Sequence, residues 1–120
     1  MAIEMVLVVD DSPTELLIIS RYLTRHGYGW MAAKDGEEAI VVARKHKPDL
    51  ILMDIVMPGM NGYQATRTLS KDPETADIPI LMITSKNQET DRLWGIRQGA
   101  IDYLVKPVSE SDLIDRIRAL

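Results

Sequence analysis

The chain has 120 residues, of which 46% are hydrophobic and 27% charged, and it contains no cysteine. That length suits one domain with its own core, and the composition excludes a disordered chain, disulfides, thiolate metal sites and a cysteine nucleophile. Fourteen basic against 18 acidic residues give a net charge of −4, which disfavours nucleic acid as the main partner.

The N-terminal Met1-Ala2-Ile3-Glu4 has neither the basic region nor the apolar stretch of a secretory signal. No apolar run nears the about 20 residues of a membrane helix, so the expected location is the cytoplasm, without membrane insertion. Met5 to Val9 is the first predicted strand, and it ends in Asp10-Asp11. Ser12-Pro13-Thr14-Glu15 reads as a capping box with proline at the first helical position. Leu16, Ile19 and Leu23 then repeat at helical spacing, with Gly27 as the stop. Tyr28 to Ala33 is a weaker second strand, and Ala39, Ile40 and Ala43 mark a second helix.

Leu50 to Met53 is the third strand and ends in Asp54, after which Asn61 with Gln64 signals a helix start. Ile80 to Ile83 is the fourth strand and runs into Thr84-Ser85. Ser85 with Gln88 reads as the next start, and Gly99 as the stop. Tyr103 to Val105 is the fifth strand, with Ile101 as an earlier possible start, and Lys106-Pro107 follows. Ser109 with Asp112 opens a final helix whose stripe is Leu113, Ile114, Ile117 and Leu120. Strands one, three and four lack polar alternation, as strands buried on both faces do. Five β-α units with short connections predict a single α/β domain over 1–120, a parallel sheet with helices on both faces.

In such sheets ligands sit beyond the carboxyl ends of the strands. There the sequence supplies Asp10 and Asp11, Asp54, Thr84 and Lys106 from four different strands. Each has an ordinary reading: Asp10-Asp11 as a helix cap, Asp54 as a loop carboxylate, Thr84 as a strand end, Lys106 as a solvated charge. The conjunction carries the argument. Crowded carboxylates resist ionising together, and a hard divalent cation with oxygen ligands, magnesium above others, removes the conflict. Carboxylates, magnesium, a lysine and a hydroxyl describe a phosphoryl site in which one carboxylate is the nucleophile. No P-loop, GxGxxG or HExxH pattern is present, so nucleotide hydrolysis and zinc proteolysis have no support. His26 and His46 lie near helix ends and read as structural, and most methionines, such as Met53 and Met82, read as core filling.

Asp10-Asp11-Ser12, Asp54 to Gly62, Thr84-Ser85 and Lys106-Pro107 together resemble the receiver domain of two-component response regulators, over essentially the whole chain. The resemblance implies a flavodoxin-like doubly wound fold with sheet order 2-1-3-4-5. It implies that Asp54 is the phosphoacceptor, taking its phosphoryl group from a histidine kinase. Asp11 and the backbone carbonyl of Val56 would be Mg2+ ligands with Asp54, and Asp10 would complete the pocket through a water on the metal. Thr84 would be the switch hydroxyl and Tyr103 the switch aromatic, drawn inward on phosphorylation. Lys106 would contact the phosphoryl oxygens, and its bond to Pro107 would be cis.

The output would be a change of the helix 4/strand 5/helix 5 face, where a downstream protein target binds. Trp94 reads either as bordering that face or as helix packing. Val56 and Lys86 would flank the path of the hydrolytic water, which neither activates. The protein would be a monomer or weak dimer and not an ordinary enzyme, since only its own aspartate reacts. The last helix reaches Leu120 without a following DNA-binding domain, which fits a stand-alone receiver or one trimmed from a longer chain. Met53 to Thr66 and Gln88 to Val108, including Trp94-Gly95, further resemble PilH-type regulators of type IV pilus twitching motility. A flavin-phosphate binder of the same fold remains an alternative, although Asp10-Asp11 would repel its phosphate. A receiver used as an unphosphorylated interaction module is another.

Overall fold

The computed structural model describes residues 2–120; Met1, with the part of the N-terminal reading that rests on it, lies outside the described residues. Five strands alternate with five helices: β1 (Met5–Val9), α1 (Pro13–Arg25), β2 (Gly29–Ala33), α2 (Gly36–His46), β3 (Leu50–Met53), α3 (Gly62–Lys71), β4 (Ile80–Thr84), α4 (Glu89–Gln98), β5 (Asp102–Val105) and α5 (Glu110–Arg118). All strand pairs are parallel, and the sheet order is β2-β1-β3-β4-β5, as expected. Among the described residues no helix is long and apolar enough to cross a membrane.

Alternate residues of the central strands feed two cores, because successive strand side chains face opposite ways. Val6, Val8, Leu50, Leu52, Leu81 and Ile83 pack with α1 and α5 through Ile19, Leu23, Leu113, Ile114 and Ile117. Leu7, Val9, Ile51, Met53 and Ile80 pack with α2 and α3 through Ala39, Ile40, Ala43, Ala65 and Leu69. Both faces are covered, so the strands carry no polar alternation.

Three local expectations change. The Ser12–Glu15 box is only half made: Ser12 Oγ accepts the Glu15 N–H at 3.3 Å, but the Ser12 N–H donates to Asp10 Oδ1 at 2.9 Å. Helix α4 begins at Glu89, not after Ser85. The reason is tertiary: the Lys86 N–H donates to the Thr84 hydroxyl at 3.4 Å, and the Lys86 carbonyl accepts the Tyr103 hydroxyl at 2.8 Å. Those groups are therefore not free to start a helix, and Asp91 instead accepts the Gln88 N–H at 3.2 Å. Leu120, placed on the α5 stripe by its spacing, lies past the helix end and is exposed. The Asn61–Gln64 box and the Ser109 cap form as read.

Candidate functional site

The parallel sheet carries the C-terminal ends of β1, β3, β4 and β5 to one edge, where the singled-out residues meet. The Asp10 N–H donates to the Ala33 carbonyl and the Asp54 N–H to the Val9 carbonyl, each at 3.0 Å, so both aspartates extend the ladder one step past their strands. Asp10 and Asp54 are 5% and 7% exposed, while Asp11 is exposed. One oxygen from each of the three carboxylates lies within 4.8 Å of the others. Among the described residues this is the one cluster with metal-ligand spacing.

Lys106 enters from the end of β5. Its Nζ donates to Asp10 Oδ2 at 2.7 Å and to Asp54 Oδ2 at 3.3 Å, and stands 4.0 Å from Glu15 Oε2. Its backbone N–H donates to the Thr84 carbonyl at 2.8 Å, and the bond to Pro107 is cis. Asp54 Oδ1 accepts the Ile55 N–H at 2.8 Å.

Burial pushes the Asp54 carboxyl above its ordinary value. The Lys106 ammonium works against that shift, the Asp10 charge adds to it, and the Ile55 N–H and Thr84 hydroxyl lower it. For Lys106, burial alone would lower the pKa, but the Asp10 hydrogen bond and the charges of Asp54, Asp10 and Glu15 outweigh it and raise it. Three carboxylates face one ammonium, so negative charge is left over. Hard oxygen donors at this spacing suit a divalent cation of the magnesium type. Val56 lies on the loop two residues past Asp54, and among the described residues no backbone N–H donates to its carbonyl.

The loop that brings α3 back to this edge depends on Gly62. Its N–H donates to the Ile55 carbonyl at 2.9 Å, and a Cβ there would lie 2.0 Å from the Asp54 carbonyl oxygen. Only glycine permits that approach.

Thr84 is fully buried beside the carboxylates. Tyr103, expected to move inward on phosphorylation, already lies inside, 6% exposed and packed with Ile55, Met82 and Ala100. Gly95 makes the room: a Cβ there would come within 2.6 Å of Met82 Sδ and 3.3 Å of the Tyr103 ring. Burial pushes the Tyr103 phenol up, and the neighbouring Tyr63 and Asp91 push it further.

Trp94 faces α3, where it lines a shallow groove of about 160 Å³ with Tyr63, Arg67 and Gln98. It therefore lies away from β5. Lys86 Nζ is turned toward Asp91 Oδ1 at 3.8 Å. His26 Nε2 lies 2.8 Å from Glu110 Oε2 and ties α1 to α5, a structural contact as read. Glu15 and Tyr63 also reach this region: the capping pattern hides the first in the sequence, and nothing local marks the second, whose hydroxyl donates to the Asp91 carbonyl at 3.1 Å.

Residues 6–118 match the family model described as the response regulator receiver domain. Protein PilH of Pseudomonas aeruginosa is 53% identical over 115 residues, covering 96% of this chain and 95% of that protein. The solved chemotaxis protein CheY4 of Vibrio cholerae is 32% identical with a TM-score of 0.91, covering 98% of each chain. A CheX–CheY complex with BeF3 and Mg2+ from Borrelia burgdorferi includes a chain 26% identical with a TM-score of 0.91, covering 97% of this chain and 87% of that one.

Proposed function

The chain belongs to the response regulator receiver family, and from that premise we propose that it is a magnesium-dependent phosphorylation switch with Asp54 as phosphoacceptor. The observation that carries this reading is Lys106 Nζ bridging Asp10 Oδ2 and Asp54 Oδ2, at the edge where three carboxylates converge. Asp10, Asp11, Asp54 and the Val56 carbonyl would hold Mg2+. When bound, the ion supplies positive charge that neutralises the transferring phosphoryl group.

The remaining chemistry belongs to the chain. An Asp54 carboxylate oxygen forms the new bond to phosphorus as the bond to the kinase histidine nitrogen breaks, and that nitrogen keeps the electron pair. Lys106 holds the phosphoryl oxygens, and the Ile55 N–H orients the carboxylate. Thr84 donates its hydroxyl to the phosphoryl group, and this draws on the Thr84–Lys86–Tyr103 chain of hydrogen bonds. The α4–β5–α5 face then changes for a downstream protein. The reaction ends on the protein's own side chain, so no external substrate is turned over. The likeness to PilH favours a cytoplasmic role in type IV pilus twitching motility. The BeF3 and Mg2+ of the Borrelia complex support the phosphoryl reading.

Acetyl phosphate with magnesium tests this. Intact-mass spectrometry is expected to show one phosphoryl adduct, lost in Asp54→Asn. Equal labelling of that variant would overturn the assignment.

A further inference from the structure

Glu15 opens α1 in a position that reads as half of a capping box, yet its side chain does not cap. The donor it would bind, the Ser12 N–H, is held by Asp10 Oδ1 at 2.9 Å. Glu15 is thereby released toward the strand edge, and its Oε2 stands 4.0 Å from Lys106 Nζ. Its own backbone is anchored, since the Glu15 N–H donates to Ser12 Oγ.

Lys106 Nζ therefore has three carboxylates within 4.0 Å: Asp10, Asp54 and Glu15. The first two belong to the cluster with metal-ligand spacing, and Glu15 does not. A cation entering the cluster competes with the ammonium for the oxygens of Asp10 and Asp54, and two positive charges a few ångströms apart repel. The ammonium is then pushed away from the two Oδ2 atoms it holds, and among the described residues Glu15 is the carboxylate within 4.0 Å of it that lies outside the cluster.

Resting on the site reading above, we propose that Glu15 is a positioning residue that receives the Lys106 ammonium when magnesium takes Asp10 and Asp54. It gives the displaced ammonium a seat, which makes displacement easier and tightens magnesium binding. It also frees an Asp54 oxygen from its ion pair before phosphoryl transfer.

The test is calorimetric titration with magnesium on four proteins: the parent, Glu15→Gln, Lys106→Met and the double variant. An ionic strength of about 0.15 M screens exposed charges beyond about 8 Å. Glu15→Gln is expected to weaken magnesium binding about three- to fivefold, the size of a partly exposed ion pair. Glu15→Asp should restore part of that loss. In the Lys106→Met background the same substitution should change affinity less than about twofold, because there is no ammonium to receive.

Two outcomes overturn the inference. One is an unchanged affinity in Glu15→Gln. The other is an equal loss with and without Lys106, which reports only the removed charge. Phosphorylation of the same proteins separates this from the functional reading. A parent that is labelled on Asp54 while Glu15→Gln binds magnesium normally would sink the Glu15 role and leave the phosphoacceptor standing.

Discussion

Asp10 and Asp54 are nearly closed off from solvent, whereas Leu93, Trp94 and Ile96 of α4 are 56%, 48% and 41% exposed. The two aspartates are fixed by ladder hydrogen bonds from their own N–H groups to carbonyls of β2 and β1, by Lys106, and by the loop closed at Gly62. Of the α4 residues only Gly95 is buried. A pocket held from several strands keeps its geometry while charge changes inside it. A helix with one buried residue gains little from its seat and can shift when one contact changes. The two regions meet at Lys86, whose N–H is taken by Thr84 and whose carbonyl is taken by Tyr103.

The sharpest way to break the comparison is to disturb the fixed side. Gly62→Ala forces a Cβ against the Asp54 carbonyl oxygen at 2.0 Å, and backbone on both sides leaves nothing flexible to move. Overpacking of that kind costs about 3 kcal/mol. Urea unfolding should show the loss, and a midpoint equal to the parent's would mean that the pocket loop yields more easily than its hydrogen bonds suggest.

What could be read in advance follows the same division. The strand ends were legible because each is a polar residue directly after an apolar run, and parallel topology brings such residues together whatever the helices do. Asp10, Asp54, Thr84 and Lys106 all announce themselves in this way. The start of α4 was not legible, because Lys86 is withdrawn from the helix by Tyr103, a residue seventeen positions on. The Glu15 role was hidden for a related reason. Its capping partner is occupied by Asp10, and sequence spacing cannot show that two candidates compete for one N–H. The two-core packing was legible in outline, since runs without alternation demand cover on both faces.

A smaller effect spans both regions. By the family resemblance, Val56 and Lys86 flank the path of the water that hydrolyses an aspartyl phosphate. Valine has no group to orient that water, and Lys86 is turned toward Asp91. Val56→Asn with Lys86→Glu should shorten the phosphate lifetime about tenfold, or about 1.4 kcal/mol in the barrier. The single variants sharpen the point: with Lys86 already turned aside, Val56→Asn should supply the larger share. Decay of phosphoprotein after donor removal measures this, and an unchanged lifetime in the double variant would remove the basis for it.

Tyr103→Phe tests the joint itself. It removes the donor to the Lys86 carbonyl and leaves the ring in place. A lost hydrogen bond of this kind costs about 1 kcal/mol. Hydrogen exchange should quicken over residues 85 to 88 and stay level over β1 and β3. Equal change in both would mean that the pocket and α4 are one cooperative unit.

Gly95→Ala is expected to have the smallest effect on stability and the most local consequence. Alanine favours a helix interior over glycine by about 1 kcal/mol, because it restricts the unfolded chain. Against that gain, the new Cβ would meet Met82 Sδ at 2.6 Å and the Tyr103 ring at 3.3 and 3.4 Å. Both are side-chain atoms rather than backbone, so they can yield, and crowding of this size costs about 1 kcal/mol at the low end. The two effects offset, and the unfolding midpoint should hardly move. The Tyr103 ring must give by a few tenths of an ångström, however, and its hydrogen bond to the Lys86 carbonyl should lengthen with it while the phenol stays buried. Ring and Lys86 amide resonances in the NMR spectrum report both changes. If those resonances stay at their parent positions while the midpoint also holds, the cavity beside Gly95 is roomier than its contacts imply, and the glycine is not what sets the position of the Tyr103 ring.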